Sequence, residues 1–360
     1  MTNRQNVIWW TSRGLIGLGA AAALVYFIAI PTWDTIDYVF FEQPQSEVLE
    51  DLTIAEQIRI RGMEFFTATW FAALGAVVAS YLNVIAYRMP IGKTVFAKDS
   101  ACPSCGSRIR MADNIPIIGW LRLRGECRDC QEPISVRYPL VEFVGAAIFL
   151  TLYIVEVLSG AENIPNTTRY FYRGALWIVW YTKWDVIGLY FYHCLLLSSL
   201  LTFALLGIDR HRVPWFAFTT AVVFGLVPPQ IWTHLNPIAP IPGDVFAELF
   251  PFEPQRLSGV CGLLAGMILG GAIDLSINRL LRRPSWESLC GLGVAGTFLG
   301  WQATLAIASA LCSVLIIILA ARVMWKPTFT IPANGCLCFV TLVFLCSWSW
   351  LLKSYGSLWP

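Results

Sequence analysis

CPSCGSRIRMADNIPIIGWLRLRGECRDC, residues 102–130, is a polar, arginine-bearing stretch set between long apolar runs. Cys102 and Cys105 form one Cys-x-x-Cys knuckle, and Cys127 and Cys130 form a second, with 21 residues between the two knuckles. Each knuckle aims two sulfurs at one point, and two such knuckles complete a tetrahedron. Gly106 follows the first knuckle, where a tight turn needs a small residue. The pattern predicts a structural four-cysteine metal site, with zinc as the expected ion, because four sulfurs leave no open position for water. A loop of about 50 residues has too little core to fold alone, and a bound metal would supply the missing stability. Two alternatives stay open: unligated thiols, or two disulfides if the loop faces an oxidising compartment.

Outward from this loop the chain is apolar. Of its 360 residues 57% are hydrophobic and 13% charged, half the roughly 25% charged share of a soluble domain. Runs of about 20 residues with few charges read as bilayer-spanning helices. Expected spans are 14–30, 65–87, 139–158, 186–208, 215–233, 257–278, a short one at 288–301, 303–322 and 334–352. The predicted fold is an all-α polytopic membrane protein of about eight to nine spans with a small metal-binding loop domain. The first run ends in FIAIPTWD, which lacks a small-residue cleavage site, so it reads as a retained anchor. ALWIVWYTKWDV at 174–185 has the aromatic content of a membrane-interface segment. Seven further cysteines lie in apolar runs, where thiols pack as small hydrophobes.

Loop charge gives the orientation. The loop 31–64 carries Asp34, Asp37, Glu42, Glu47, Glu50, Asp51, Glu56 and Glu64 against Arg59 and Arg61. The loop 89–138 holds eight Lys/Arg against five Asp/Glu. The positive-inside bias puts the second loop in the cytoplasm, together with IDRHRVP (208–214) and NRLLRRPSWES (278–288). A reducing compartment favours a metal over disulfides.

SYLNVIAYRMP, the two knuckles, DNIP, GW, LRLRG and ISVRYPLVE follow one another between Ala79 and Glu142. In that order they resemble the N-terminal part of bacterial prepilin peptidases, the type IV leader peptidases. Many members also N-methylate the new N-terminus. The resemblance implies an intramembrane aspartyl protease of the Gly-x-Gly-Asp type, with one aspartate at a cytoplasmic helix end and a second in that turn. The first falls on Asp209 in LLGIDRHRVP, although Pro214 follows sooner than is usual and Trp215 replaces a commonly polar residue. The second motif departs from the pattern. GTFLGWQ at 296–302 matches the downstream element, but the position expected to hold the aspartate, eight residues before Gly296, is Ser288. The Gly-x-Gly before it is replaced by SWE, the lysine usual two residues on is Cys290, and the chain contains no Gly-x-Gly-Asp.

Ionisable residues in or beside apolar spans are costly, so they are the site candidates: Lys183, Asp185, His193, Asp209, Asp274 and Glu287. Two carboxyls sharing a proton can activate water and protonate a leaving amine. Asp209 would be one of them, and Asp274 or Glu287 the other. The structural alternatives are a surface pair of Asp209 with Arg210 or Arg212, a snorkelling or paired Asp274 with Arg279 or Arg282, and no second acid at all. His193, eight residues from Asp185, reads as a core histidine. Glu142 is expected to anchor Arg137 or another basic loop residue and has no catalytic role. None of the three histidines lies near Ser288, which argues against serine chemistry there.

The expected organisation is an anchor and external loop over 1–64, a peptidase-like N-terminal region over 65–158 around the metal loop 89–138, and a helical bundle over 174–352. The expected function is a multi-pass aspartic endopeptidase of the bacterial inner membrane that removes the basic leader of prepilins or pseudopilins at the cytoplasmic face. Methyl transfer would require S-adenosylmethionine, for which the chain shows no glycine-rich fingerprint. The alternative is an inactive relative that binds pilin-like helices as an assembly factor. No nucleic-acid partner is expected, and the lack of internal repeats argues against a transporter.

Overall fold

Apolar runs of this length have one economical answer in a bilayer, since a helix satisfies its own backbone hydrogen bonds where no water can. The computed structural model describes residues 54–95, 100–167, 170, 174–240, 253–281, 286–325 and 333–355. The expected anchor at 14–30 lies outside these residues. The chain forms α1 (Ile54–Arg88), a short α2 (Ile118–Arg122), α3 (Arg137–Leu152), α4 (Trp184–Ile208), α5 (Trp215–Leu226), α6 (Gln255–Leu281), α7 (Glu287–Trp325) and α8 (Ala333–Tyr355). Among the described residues six helices are long and apolar enough to cross a membrane, and the segment Trp215–Ile231 is a shorter apolar one. Among the described residues the only β-pairing is two isolated bridges inside the cysteine loop.

Packing between helices combines aromatic contact with single hydrogen bonds. Phe71 of α1 stacks on Tyr153 at 4.9 Å and meets Tyr190 of α4 edge-on. The Tyr153 hydroxyl lies 2.7 Å from the Thr67 hydroxyl, and Tyr192 donates to the Gly225 carbonyl, tying α4 to α5. Such bonds contribute about 0.6–2 kcal/mol each in a membrane, so van der Waals contact carries most of the assembly.

α7 reverses direction at Gly300, where φ is 82° and ψ 172°, a conformation open only to glycine. Chain length requires this. Gly291 packs against Asn334 at the start of α8. A straight helix from 291 to 325 would carry the chain about 51 Å away, whereas the nine residues to 334 span at most about 31 Å. The first limb, Glu287–Leu299, is therefore about 20 Å long, short of the roughly 30 Å hydrocarbon core. Trp301 and Gln302 hold the turn by donating to the carbonyls of Pro240 and Ala239. The limb runs antiparallel along α6, with Gly262 against Gly296, Gly266 against Leu292 and Gly270 against Ser288.

Candidate metal centre and the acidic residues around it

The two knuckles are built alike. Cys102 N donates to Ser107 O and Gly106 N to Cys102 O, while Cys127 N donates to Glu132 O and Gln131 N to Cys127 O. The residue after the second cysteine is left-handed in both, Gly106 at φ 72° and Gln131 at φ 58°. Gly106 adopts this freely, and Gln131 does so at a cost of about 1–2 kcal/mol. The four sulfurs lie within 4.8 Å of one another, with Cys102 and Cys130 3.8 Å apart. A tetrahedron with metal–sulfur bonds of about 2.3 Å has edges of about 3.8 Å, so the cage fits one metal ion. The Ser107 hydroxyl, 2.8 Å from Cys105 Sγ, pulls that thiol down to about 6. At Cys130 the Glu132 amide favours the thiolate, but desolvation and the neighbouring sulfurs outweigh it and push the thiol up to about 12. Crowded thiolates repel, and a cation at their centre removes that repulsion.

Asp113 braces the second knuckle. Its carboxylate takes a bidentate bond from Arg128, Nε at 2.7 Å and Nη2 at 2.5 Å. The Arg128 guanidinium holds the Asp113 carboxyl below the usual carboxylate range. A depressed carboxyl stabilises the fold above its unfolded pKa of about 4 and loses that contribution as pH falls through the folded value. The brace is therefore complete at neutral pH. Asp113→Asn is expected to speed amide exchange at residues 126–131 at pH 7, measured against wild type.

Two contacts seat the loop on the helices. Glu142, buried in α3, accepts a hydrogen bond of 2.6 Å from the backbone N–H of Ile117. It does not bind Arg137, as the sequence had suggested: an amide at the tip of a tight turn reaches it instead. Arg137 at the start of α3 donates both Nη atoms to Asp209, at 2.5 and 2.8 Å. Asp209 caps α4, and Arg210 takes a left-handed turn at φ 59° immediately after it. The structural alternative for Asp209, a surface pair with Arg210 or Arg212, is thus replaced by a pair with Arg137, 72 residues away.

Asp274 is buried in α6 and accepts the backbone N–H groups of Ser288 at 3.2 Å and Leu289 at 2.9 Å. It caps the first limb of α7, where free amides and the helix dipole favour a negative group. The arginines proposed as its partners, Arg279 and Arg282, have side chains outside the described residues. Glu287 receives the amides of Ala333 and Asn334 at the start of α8 and lies within electrostatic range of Asp274. These two acids share one junction, beside the buried Ser288. Asp209 and Asp274 share no hydrogen bond.

His193 is fully buried, as expected of a core histidine, with Nδ1 2.7 Å from Glu156. Glu156 is an acid the sequence reading passes over, although its place in the apolar run LYIVEVL was signal enough. It lies in a π-helical continuation of α3, Tyr153–Leu158. Asp185 instead accepts from the Tyr170 hydroxyl at 2.6 Å.

Residues 73–155, which contain the whole resembling stretch, match the family model of the bacterial peptidase A24 N-terminal domain. The prepilin leader peptidase/N-methyltransferase of Myxococcus xanthus (strain DK1622) is 44% identical over 82 residues, 23% of this chain and 24% of that protein. The enzyme of the same name from Neisseria gonorrhoeae is 41% identical over 108 residues, 23% of this chain and 38% of that one. A type 4 prepilin-like proteins leader peptide-processing enzyme of Escherichia coli O78:H11 (strain H10407 / ETEC) is 41% identical over 104 residues, 24% and 39% of the two chains. The chain thus spans between a quarter and two fifths of the length of these relatives. No solved structure matches it.

Proposed function

We propose that this chain, similar to prepilin leader peptidases through its A24-type N-terminal segment, processes prepilin-like proteins at the cytoplasmic face of the bacterial inner membrane. The observation that carries the reading is the seating of the four-cysteine loop on the membrane helices, through Ile117–Glu142 inside the matched segment and through Arg137, which joins that segment to Asp209 beyond it. Zinc is the ion proposed for the cage, since four thiolates and a closed tetrahedron suit it.

The substrate is a basic leader joined to an apolar helix, with the helix held in the bilayer and the leader below it. Cleavage is of the aspartic type. One ionised carboxyl takes a proton from water as its oxygen adds to the scissile carbonyl. A protonated one gives its proton to the leaving nitrogen as the C–N bond breaks. Asp209 is the proposed first acid, and Asp274 or Glu287 the second. Arg137 must leave Asp209 before that carboxyl can exchange a proton. Methylation of the new amine rests on the names of the relatives alone and would draw on S-adenosylmethionine.

A second reading, a relative that binds pilin-like helices without cutting them, is favoured by one observation. Asp209 is engaged by a guanidinium and Asp274 by two amides, while Ser288 stands where the resemblance expects an aspartate. The test uses membranes carrying the full chain and a leader-bearing pilin, with the shortened pilin read by gel and mass spectrometry. Cleavage by wild type, lost in Asp209→Ala and in either Asp274→Ala or Glu287→Ala, identifies the pair. Removing one partner of an acid–base pair typically costs a factor of about 10²–10⁴ in rate. Intact pilin that co-purifies with the wild-type chain establishes the binding reading instead.

A further inference from the structure

The run from Met111 to Leu121 exposes apolar side chains that a water-facing loop has no reason to carry. Met111 is 91% exposed, Ile115 45%, Ile118 59% and Leu121 40%. Ile118 and Leu121 lie three apart on α2 and share a face. Gly119 packs on the backbone of Asp113, folding the two halves of the run against each other.

The depth of this run is set by Glu142. That residue lies five positions into α3, about 7 Å along the helix from Arg137, and inside the apolar span Arg137–Leu158. Its carboxyl binds the Ile117 amide, so the turn at 115–118 stands beside the helix rather than beyond its end. Ile117 has φ 62°, a conformation that β-branched residues avoid and that this anchor helps to hold. On the same part of α3, Leu140 and Phe143 are exposed as well. The loop therefore carries its apolar surface at the level of the first turns of a membrane span. Arg122 and Arg124, both exposed, flank the run on the side leading back to the knuckle.

We propose that Met111–Leu121 is a membrane-interface foot, which sets its apolar side chains at the headgroup–acyl boundary and presents Arg122 and Arg124 to anionic phospholipid. Interfacial elements of this kind bury their apolar face about 5–10 Å deep, which agrees with the level fixed by Glu142. Basic residues at that level are attracted to anionic headgroups. The foot holds the metal cage against the bilayer, and it does not depend on whether the chain cleaves anything. A lipid surface is favoured over a peptide because the exposed apolar residues lie level with the first turns of a membrane span and have the exposed Arg122 and Arg124 beside them.

The test places a benzophenone amino acid at Ile118 of the full-length protein, and at exposed Gln131 in the second knuckle for comparison. Both proteins are reconstituted in nanodiscs of phosphatidylcholine with or without phosphatidylglycerol, and retained metal content verifies the loop. Irradiation is expected to give lipid adducts at 118 and none at 131, with phosphatidylglycerol enriched among them beyond its share of the bilayer. Arg122→Gln with Arg124→Gln is expected to abolish the enrichment. Equal adducts at the two positions, no lipid adduct at 118, or capture there of an added leader-bearing pilin in place of lipid would each overturn the proposal. Enrichment that survives the double substitution overturns the role of the arginines.

Discussion

Replacing one cysteine in each knuckle, Cys102→Ser with Cys127→Ser, is expected to empty the metal cage and unfold the loop while the membrane helices stay formed. The argument is one of size. Of the loop's apolar side chains, Met111, Ile115, Ile118 and Leu121 face outward, which leaves little core to hold 100–136 together. The left-handed Gln131 adds strain that something must offset. Structural zinc supplies about 10–16 kcal/mol in isolated finger peptides, far more than this loop can gather from burial. Metal analysis should find about one ion per wild-type chain and none in the double variant. Amide exchange over 100–136 should rise sharply, and helical circular dichroism should barely change. The same substitutions leaving exchange untouched would remove the metal from the account. Reduction of the wild type separates a metal from disulfides, since mild reductant breaks only the latter.

Gly296→Val is the second change with a large expected effect. A Cβ at Gly296 would strike the Gly262 carbonyl, and one at Gly262 would strike that of Gly296, so the two helices touch backbone to backbone. The struck atoms are main chain and cannot rotate away. Relief requires α6 and the first limb of α7 to separate along their length, which strips the contacts at Gly266–Leu292 and Gly270–Ser288 too. Overpacking costs about 1–3 kcal/mol where side chains can adjust, and more is expected here because none can. Asp274 would also lose the amides of Ser288 and Leu289, exposing a buried carboxyl to an unsatisfied site. The measurement is thermal aggregation of the detergent-solubilised chain, for which a large drop in midpoint is expected. Gly188→Val serves as the control, because nothing lies within 4 Å of a Cβ built there. Equal midpoints for the two variants would show that the close approach does not hold the bundle.

Features that depend on short windows of sequence were legible. The Cys-x-x-Cys spacing announces a knuckle because four neighbouring residues suffice to close one. The spans announce themselves because a bilayer asks only for length and apolarity. GTFLGWQ marked a distinctive place, but the reversal at Gly300 follows from the contact between Gly291 and Asn334, which no window contains. Partner choice was the least legible feature. Asp209 suggested its neighbours Arg210 and Arg212, yet the left-handed turn at Arg210 directs the chain away and Arg137 arrives from another helix. Asp274 caps the helix limb that faces it, a contact that depends on how two helices approach and not on its neighbours in sequence.

Taken alone, the order of residues determined that this is a polytopic helical protein with a four-thiol loop, because hydropathy and knuckle geometry are properties of a few consecutive side chains. Tertiary structure decided which charges meet, which helix residue anchors the loop and where α7 turns back. Those outcomes depend on helix packing, in which an acid binds whichever donor the approach of two backbones brings within reach.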